Sequence, residues 1–210
     1  MDFPRSLECY AGKQSGLPDL PPDVNWPVFR DCTSSYASVP GSDDWCGFVA
    51  QFNCADFAET LAGRLVPSTG LISVFLFMNW DTGDDRLRGL YSPDISALVR
   101  KEAPDGLAAA TKIRKAEQLT YAEVLDIPDP EGPWEDELEL NDQVRDDYGM
   151  FRPDSDMFGY FSPTTGEDKD TQPFLSIRPT EGCGIHIQLK RADLAVGDFG
   201  AAQLVWVDCG

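Results

Sequence analysis

From Cys183 to Gly210 the chain reads CGIHIQLKRADLAVGDFGAAQLVWVDCG. Ile185, Ile187 and Leu189 alternate with His186, Gln188 and Lys190, the period-two pattern of a strand with one buried face. Ala192-Asp193-Leu194 through Asp198-Phe199 breaks the pattern with a short helix or turn, and Leu204 to Val207 supplies a closing strand. The longest apolar run, Leu71 to Met78, contains Ser73 and is again of strand length. It falls far short of the roughly 18 apolar residues that a membrane span needs. With 18 glycines and 16 prolines, the chain favours many short elements over a helical bundle.

The remaining elements follow from local pattern. Residues 1–47 read as an irregular, proline-rich approach, and Phe48 to Phe52 as a short strand. Cys54 to Leu65 has helical spacing: Phe57, Leu61 and Leu65 share a face, and Asp56 and Glu59 lie near the start, where the helix dipole favours acids. Strands are expected at Leu71–Phe77 and Leu87–Tyr91, joined by the acidic turn Asp81–Asp85. Ser92-Pro93-Asp94 opens a helix through Arg100 or makes a turn. Leu107 to Leu119 is Ala-rich behind Pro104, which predicts a helix. Thr120 to Ile127 is a further short element, and Phe174 to Ile177 a strand. Gln51 to Ala58 and Gln188 to Ala195 echo one another, each a strand residue followed by Ala-Asp-hydrophobic-Ala. The echo raises two related, duplicated sheet-building halves within a single domain over residues 1–210.

Charge sets the class of partner. The formal net charge is −19, which argues against nucleic acid and anionic membranes, because both reward dense Lys and Arg. The excess is local. Asp126 to Asp170 holds fifteen Asp and Glu against three basic residues (Arg145, Arg152, Lys169), a balance of −12. The first ten residues have no apolar core, so no secretory signal is expected and the compartment is expected to be cytoplasmic. In a reducing compartment the six cysteines, which show no C-x-x-C pair and no zinc spacing, read as free buried thiols.

Candidates for chemistry are few. The single histidine, His186, could pair with Cys183 as a thiol–imidazole dyad. No flanking nucleophile motif supports that pairing, and a strand histidine beside a structural thiol is the simpler reading. There is no G-x-S-x-G, phosphate loop or dinucleotide fingerprint. The acidic turns Asp81–Asp85, Asp154-Ser155-Asp156 and Glu167–Asp170 lack the spacing of a calcium loop and read as solvated turns, so no metal or cofactor is expected. Trp45 and Trp134 are each rimmed by acids. That pattern suits a protein-binding anchor or, more simply, a pin that holds a loop to the body.

Two groups of residues carry a family resemblance. At the N-terminal end they are Gly16-Leu17-Pro18-Asp19-Leu20-Pro21, Trp26-Pro27, and Phe48 through Phe57 (FVAQFNCADF). At the other end they are Phe158-Gly159-Tyr160 and the C-terminal stretch described above. Together these resemble the YwqG-like family of bacterial proteins, while the middle, 101–152, departs from its pattern. The resemblance implies an α+β body of antiparallel sheets with short helices, in single-domain cytosolic proteins without a recognised active site. It also implies a genetic setting similar to that of secreted polymorphic toxins. The function expected is therefore that of an acidic binding protein, an immunity protein that neutralises a toxin domain by covering a basic surface. Its face would be Trp134, Glu135, Asp136, Glu137, Glu139, Asp142, Asp146 and Asp147, on a monomer or small homo-oligomer. The alternative is a small-ligand-binding protein or enzyme with a carboxylate-lined site between two halves.

Overall fold

The computed structural model describes residues 11–28, 33–34, 45–60, 62–77, 86–110, 115–121, 156–157, 171–180 and 183–209. In chain order its strands are β1 (Lys13–Gln14), β2 (Asp19–Leu20), β3 (Thr33–Ser34), β4 (Gly47–Asn53), β5 (Leu71–Phe77) and β6 (Arg86–Ser92). They continue with β7 (Val99–Arg100), β8 (Glu117–Gln118), β9 (Asp156–Met157), β10 (Thr171–Thr180), β11 (Cys183–Lys190) and β12 (Gln203–Cys209). Two short helices, α1 (Asp105–Ala110) and α2 (Arg191–Val196), and three 3₁₀ turns complete the described elements. A six-stranded sheet runs β3-β6-β5-β4-β1-β8, a four-stranded sheet runs β12-β11-β10-β9, and β2 and β7 form a two-stranded ribbon. Every pairing is antiparallel, so the fold is the expected α+β arrangement of antiparallel sheets with short helices.

β5 explains why Leu71–Phe77 reads as a continuous apolar run rather than an alternation. It lies at the middle of the large sheet and is covered on both sides, the situation in which the alternation disappears. Ile72, Val74 and Leu76 join a large apolar cluster with Phe174, Leu175, Ile187 and Leu189 of the second sheet, Leu194 of α2, and Phe199. Phe75 points the other way, into a smaller cluster with Leu20, Trp26, Cys46 and Leu107. The two sheets thus share one core, and a second core lies on the opposite face of β5.

Several local expectations change in the structure. The helical spacing of Cys54 to Leu65 yields two 3₁₀ turns, Cys54–Asp56 and Ala62–Leu65, instead of one helix. The side chain of Asn53 caps the first turn by accepting from the Ala55 N–H. Thr60 then ties the chain down locally, its hydroxyl donating to the Phe57 carbonyl and accepting from the Gly63 N–H. Gly63 lies so near Phe57 that a Cβ would come within 2.0 Å of the Phe57 carbonyl oxygen. Such side-chain-to-backbone bonds compete with helix. Of the helix expected over Leu107–Leu119, Leu107 to Ala110 lie in α1 and Glu117 and Gln118 form β8 instead, while 111–114 lie outside the described residues. Ser92-Pro93-Asp94 is a turn, closed by Asp94, whose carboxylate accepts from the backbone and hydroxyl of Ser96. Residues 1–47, expected to be irregular, contribute β1, β2 and β3. The echoing segments do share a geometry, a strand end running into a helical turn, at β4 and at β11. That likeness alone does not make a duplication.

Candidate functional site

The chain from Ala11 to Val28 is short in secondary structure but closely held. β1 pairs with β4 and β8, Ser15 and Gly16 turn the chain with positive φ (61° and 80°), and β2 then pairs with β7. Lys13 registers opposite Gln51, Gln51 opposite Ser73, and Ser73 opposite Leu90. Directly opposed residues share a sheet face, so these four form a row on the side of the smaller core. The ribbon brings Asp19 against this row.

Four polar residues meet there. Asp19, Lys13 and Gln51 are fully buried. Lys13 Nζ donates to Asp19 Oδ2 at 2.7 Å, and Gln51 Nε2 donates to the same oxygen at 2.9 Å. Arg100 grips the carboxylate from the ribbon, with Nε 2.9 Å from Oδ1 and Nη2 3.2 Å from Oδ2. Gln51 closes the set, its Oε1 accepting from the Asp19 N–H at 3.0 Å and its Nε2 donating to the Ala11 carbonyl at 2.9 Å. Burial pushes the Asp19 carboxyl up, the largest single effect. The hydrogen bonds from Arg100, Lys13 and Gln51, with the Lys13 charge, outweigh it and hold the group at about 2. The carboxylate is therefore ionised at any working pH, and these donors engage both of its oxygens.

A second group gathers at the end of β4. Cys54 is fully buried, and desolvation, with the nearby Asp56 charge adding to it, pushes its thiol up to about 12. Burial also raises the Asp56 carboxyl, opposed by a hydrogen bond with the Gly12 backbone. Tyr121 packs its ring on Phe57 at 5.2 Å, and its buried hydroxyl has no hydrogen-bond partner among the described residues. Burial first, then the Asp56 charge, raises its proton affinity. These environments keep protons on rather than take them off. A thiol nucleophile needs the thiolate, so Cys54 is suited to packing and not to attack. Cys46 and Cys54, both fully buried, are expected to resist iodoacetamide at pH 8 in the folded protein and to react fully in denaturant. Peptide mass spectrometry reads this directly, and rapid alkylation of native Cys54 would show its thiolate to be accessible.

The expected binding face, Trp134, Glu135, Asp136, Glu137, Glu139, Asp142, Asp146 and Asp147, lies outside the described residues, as does the acidic turn Asp81–Asp85. His186 and Cys183 both lie in β11, where His186 registers with Ser176 and Trp206, and Cys183 with Cys209. Trp45 packs against the smaller core, and the Trp26 Nε1–H donates to the Cys46 carbonyl at 2.7 Å, so both act as pins. No group of three or more His, Cys, Asp and Glu that could hold a metal occurs among the described residues. Nor is any described helix long and apolar enough to cross a membrane.

Sequence reasoning singled out none of the four network residues as a site. Asp19 and Gln51 do fall in the two N-terminal segments that carry the family resemblance, which was the available signal. Lys13 and Arg100 stand in unremarkable contexts and become partners only through β1 and β7. The described residues define a two-sheet α+β protein whose N-terminal segment is fastened by a buried ion network. Residues 12–210 match the family described as a domain of unknown function, DUF1963, and the chain belongs to that family. All four network residues lie within the match. The search of curated proteins finds no match.

Proposed function

We propose that the chain is an acidic, cytoplasmic protein-binding domain of YwqG-like type that covers a basic surface on its partner. An immunity protein neutralising a cognate secreted toxin is the particular role we favour. The observation that carries this reading is the charge: −19 overall, with a balance of −12 between Asp126 and Asp170 and aromatics interleaved. Opposite charge steers association, and a desolvated aromatic anchor slows dissociation. The chemistry of the described core is consistent with a non-catalytic role, since Asp19 is occupied by ion pairs and Cys54 is held as a thiol.

Affinity capture from the native host tests the proposal. Asp136→Lys, Glu139→Lys and Asp142→Lys together are expected to slow capture of a basic partner about tenfold or more while leaving folding intact, because solvated charges add little stability. Raising salt to about 0.5 M is expected to do the same, since the Debye length shrinks to a few Å. Trp134→Ala is expected to act on the off-rate instead. If the charge-reversed protein captures the same partner at the wild-type rate, the acidic segment is not the interface.

A further inference from the structure

We infer that residues 11–28 form a strap latched by the Asp19 network, a unit that opens from the sheet face while the core between the two sheets stays folded. The inference is independent of the binding role. It rests first on how the cores divide. Of the strap's buried apolar residues, Leu20 and Trp26 belong to the smaller cluster, Val28 to neither, and residues 11–28 supply none of the larger cluster that joins the sheets. Cooperative opening units tend to follow such divisions.

The chemistry of the attachment points the same way. β1 and β2 are two residues each, and a two-residue ribbon such as β2–β7 has no independent stability. The strap also holds a non-glycine residue, Ser15, at φ 61°, a conformation that persists only under constraint from its surroundings. Beside the packing of Leu20 and Trp26 on Phe75 and the backbone bonds to Val49, Cys46 and Lys101, the polar fastening of the ribbon to the sheet face converges on one carboxylate. Lys13 and Gln51 reach it from the sheet, and Arg100 reaches it from the ribbon. A buried ion network of this kind specifies geometry more than it adds net stability, because desolvation offsets most of the attraction. The network therefore places the strap accurately while adding little net free energy of its own, and the rest of the hold comes from Leu20 and Trp26 in the smaller core. Arg100 is the member that solvent can reach, its side chain being 26% exposed where Asp19 is fully buried. Opening would lift Asp19, Leu20 and Trp26 off the sheet face that carries Gln51, Ser73 and Phe75.

Native-state hydrogen exchange on the full chain tests the latch. The reporters in the strap and its attachments are the amides of Ser15, Asp19, Cys46 and Lys101, which bond respectively to Val49, Gln51, Pro27 and Pro18. The reference is the β5 amides paired with β4 and β6. Arg100→Gln keeps Lys13 facing Asp19, so the buried charges stay balanced. This variant is expected to exchange at the strap reporters about tenfold faster or more, given the usual worth of a hydrogen bond to a charged group, with β5 unchanged. In the wild type the strap reporters are expected to exchange faster than β5, with a weaker dependence on denaturant. Equal acceleration of strap and β5, unchanged strap exchange, or global unfolding of Arg100→Gln would each overturn the latch.

Discussion

Asp19→Asn is expected to destabilise the protein by about 3–5 kcal/mol, the usual cost of removing one partner from a buried ion pair. The substitution keeps the shape and removes the charge. Lys13 is then left fully buried without its carboxylate, whereas Arg100 can turn to solvent because its side chain is 26% exposed. That asymmetry gives a sharper test than the single variant. Lys13→Met combined with Asp19→Asn removes the stranded cation and is expected to recover most of the loss, so the double variant should be more stable than Asp19→Asn alone. A double variant no more stable than the single one would mean that Lys13 is not the burdened group. The pH dependence supplies an independent sign. Asp19 titrates at about 2 in the fold against an ordinary 3.8, so its contribution is complete above 3.8 and is lost as pH falls from 3.8 towards 2. By linkage that contribution is about 2 kcal/mol. Denaturant melts at pH 7 and pH 2.5 should therefore show the gap between wild type and Asp19→Asn narrowing in acid.

The buried network also marks where the sequence was readable and where it was not. Strand pattern was legible wherever one element supplied its own evidence. Ile187 and Leu189 alternate with Gln188 and Lys190 because β11 turns the first pair into the core, and Leu71 to Phe77 runs apolar because β5 has two core faces. Proline and glycine marked the turns. Pattern failed where a residue's role was set by a distant partner. Lys13 looks like any exposed lysine, and what buries it is pairing with Gln51, thirty-eight positions along, under an aspartate fixed by Arg100. The helix read over Cys54 to Leu65 failed for a related reason. Its apolar spacing is genuine, and Phe57 is buried, but Asn53, Thr60 and Gly63 offer the backbone local bonds that cut the helix into turns. The candidate binding face was legible only as composition, because charge density predicts a class of partner and no geometry.

Phe199→Ala is expected to cost about 3–5 kcal/mol, the range for emptying a buried aromatic site. Phe199 is 1% exposed and stands where the two sheets meet. Its ring centre lies 5.2 Å from that of Phe174 in β10 and 5.9 Å from that of Tyr91 in β6, so one side chain touches both layers. The turn that carries it is pressed onto β6 as well. A Cβ built at Gly89 would come within 2.2 Å of the Phe199 carbonyl oxygen, which leaves room for glycine alone. The backbone on both sides is fixed, in β6 by seven register pairs with β5, so the space left by the ring cannot collapse easily. Incomplete collapse is what places a truncation at the upper end of its range. Phe199→Leu keeps most of the volume and is expected to cost under about 1.5 kcal/mol, while Val196→Ala, at a residue 74% exposed, should fall within about 0.5 kcal/mol of wild type. Urea melts read all three, with the midpoint lowest for Phe199→Ala, intermediate for Phe199→Leu and nearest wild type for Val196→Ala, and the slope unchanged if the protein unfolds as one unit. A cost below about 1 kcal/mol for Phe199→Ala would mean that the sheets do not depend on this ring, and the weight of the shared core would shift to Phe174, Ile187 and Leu189.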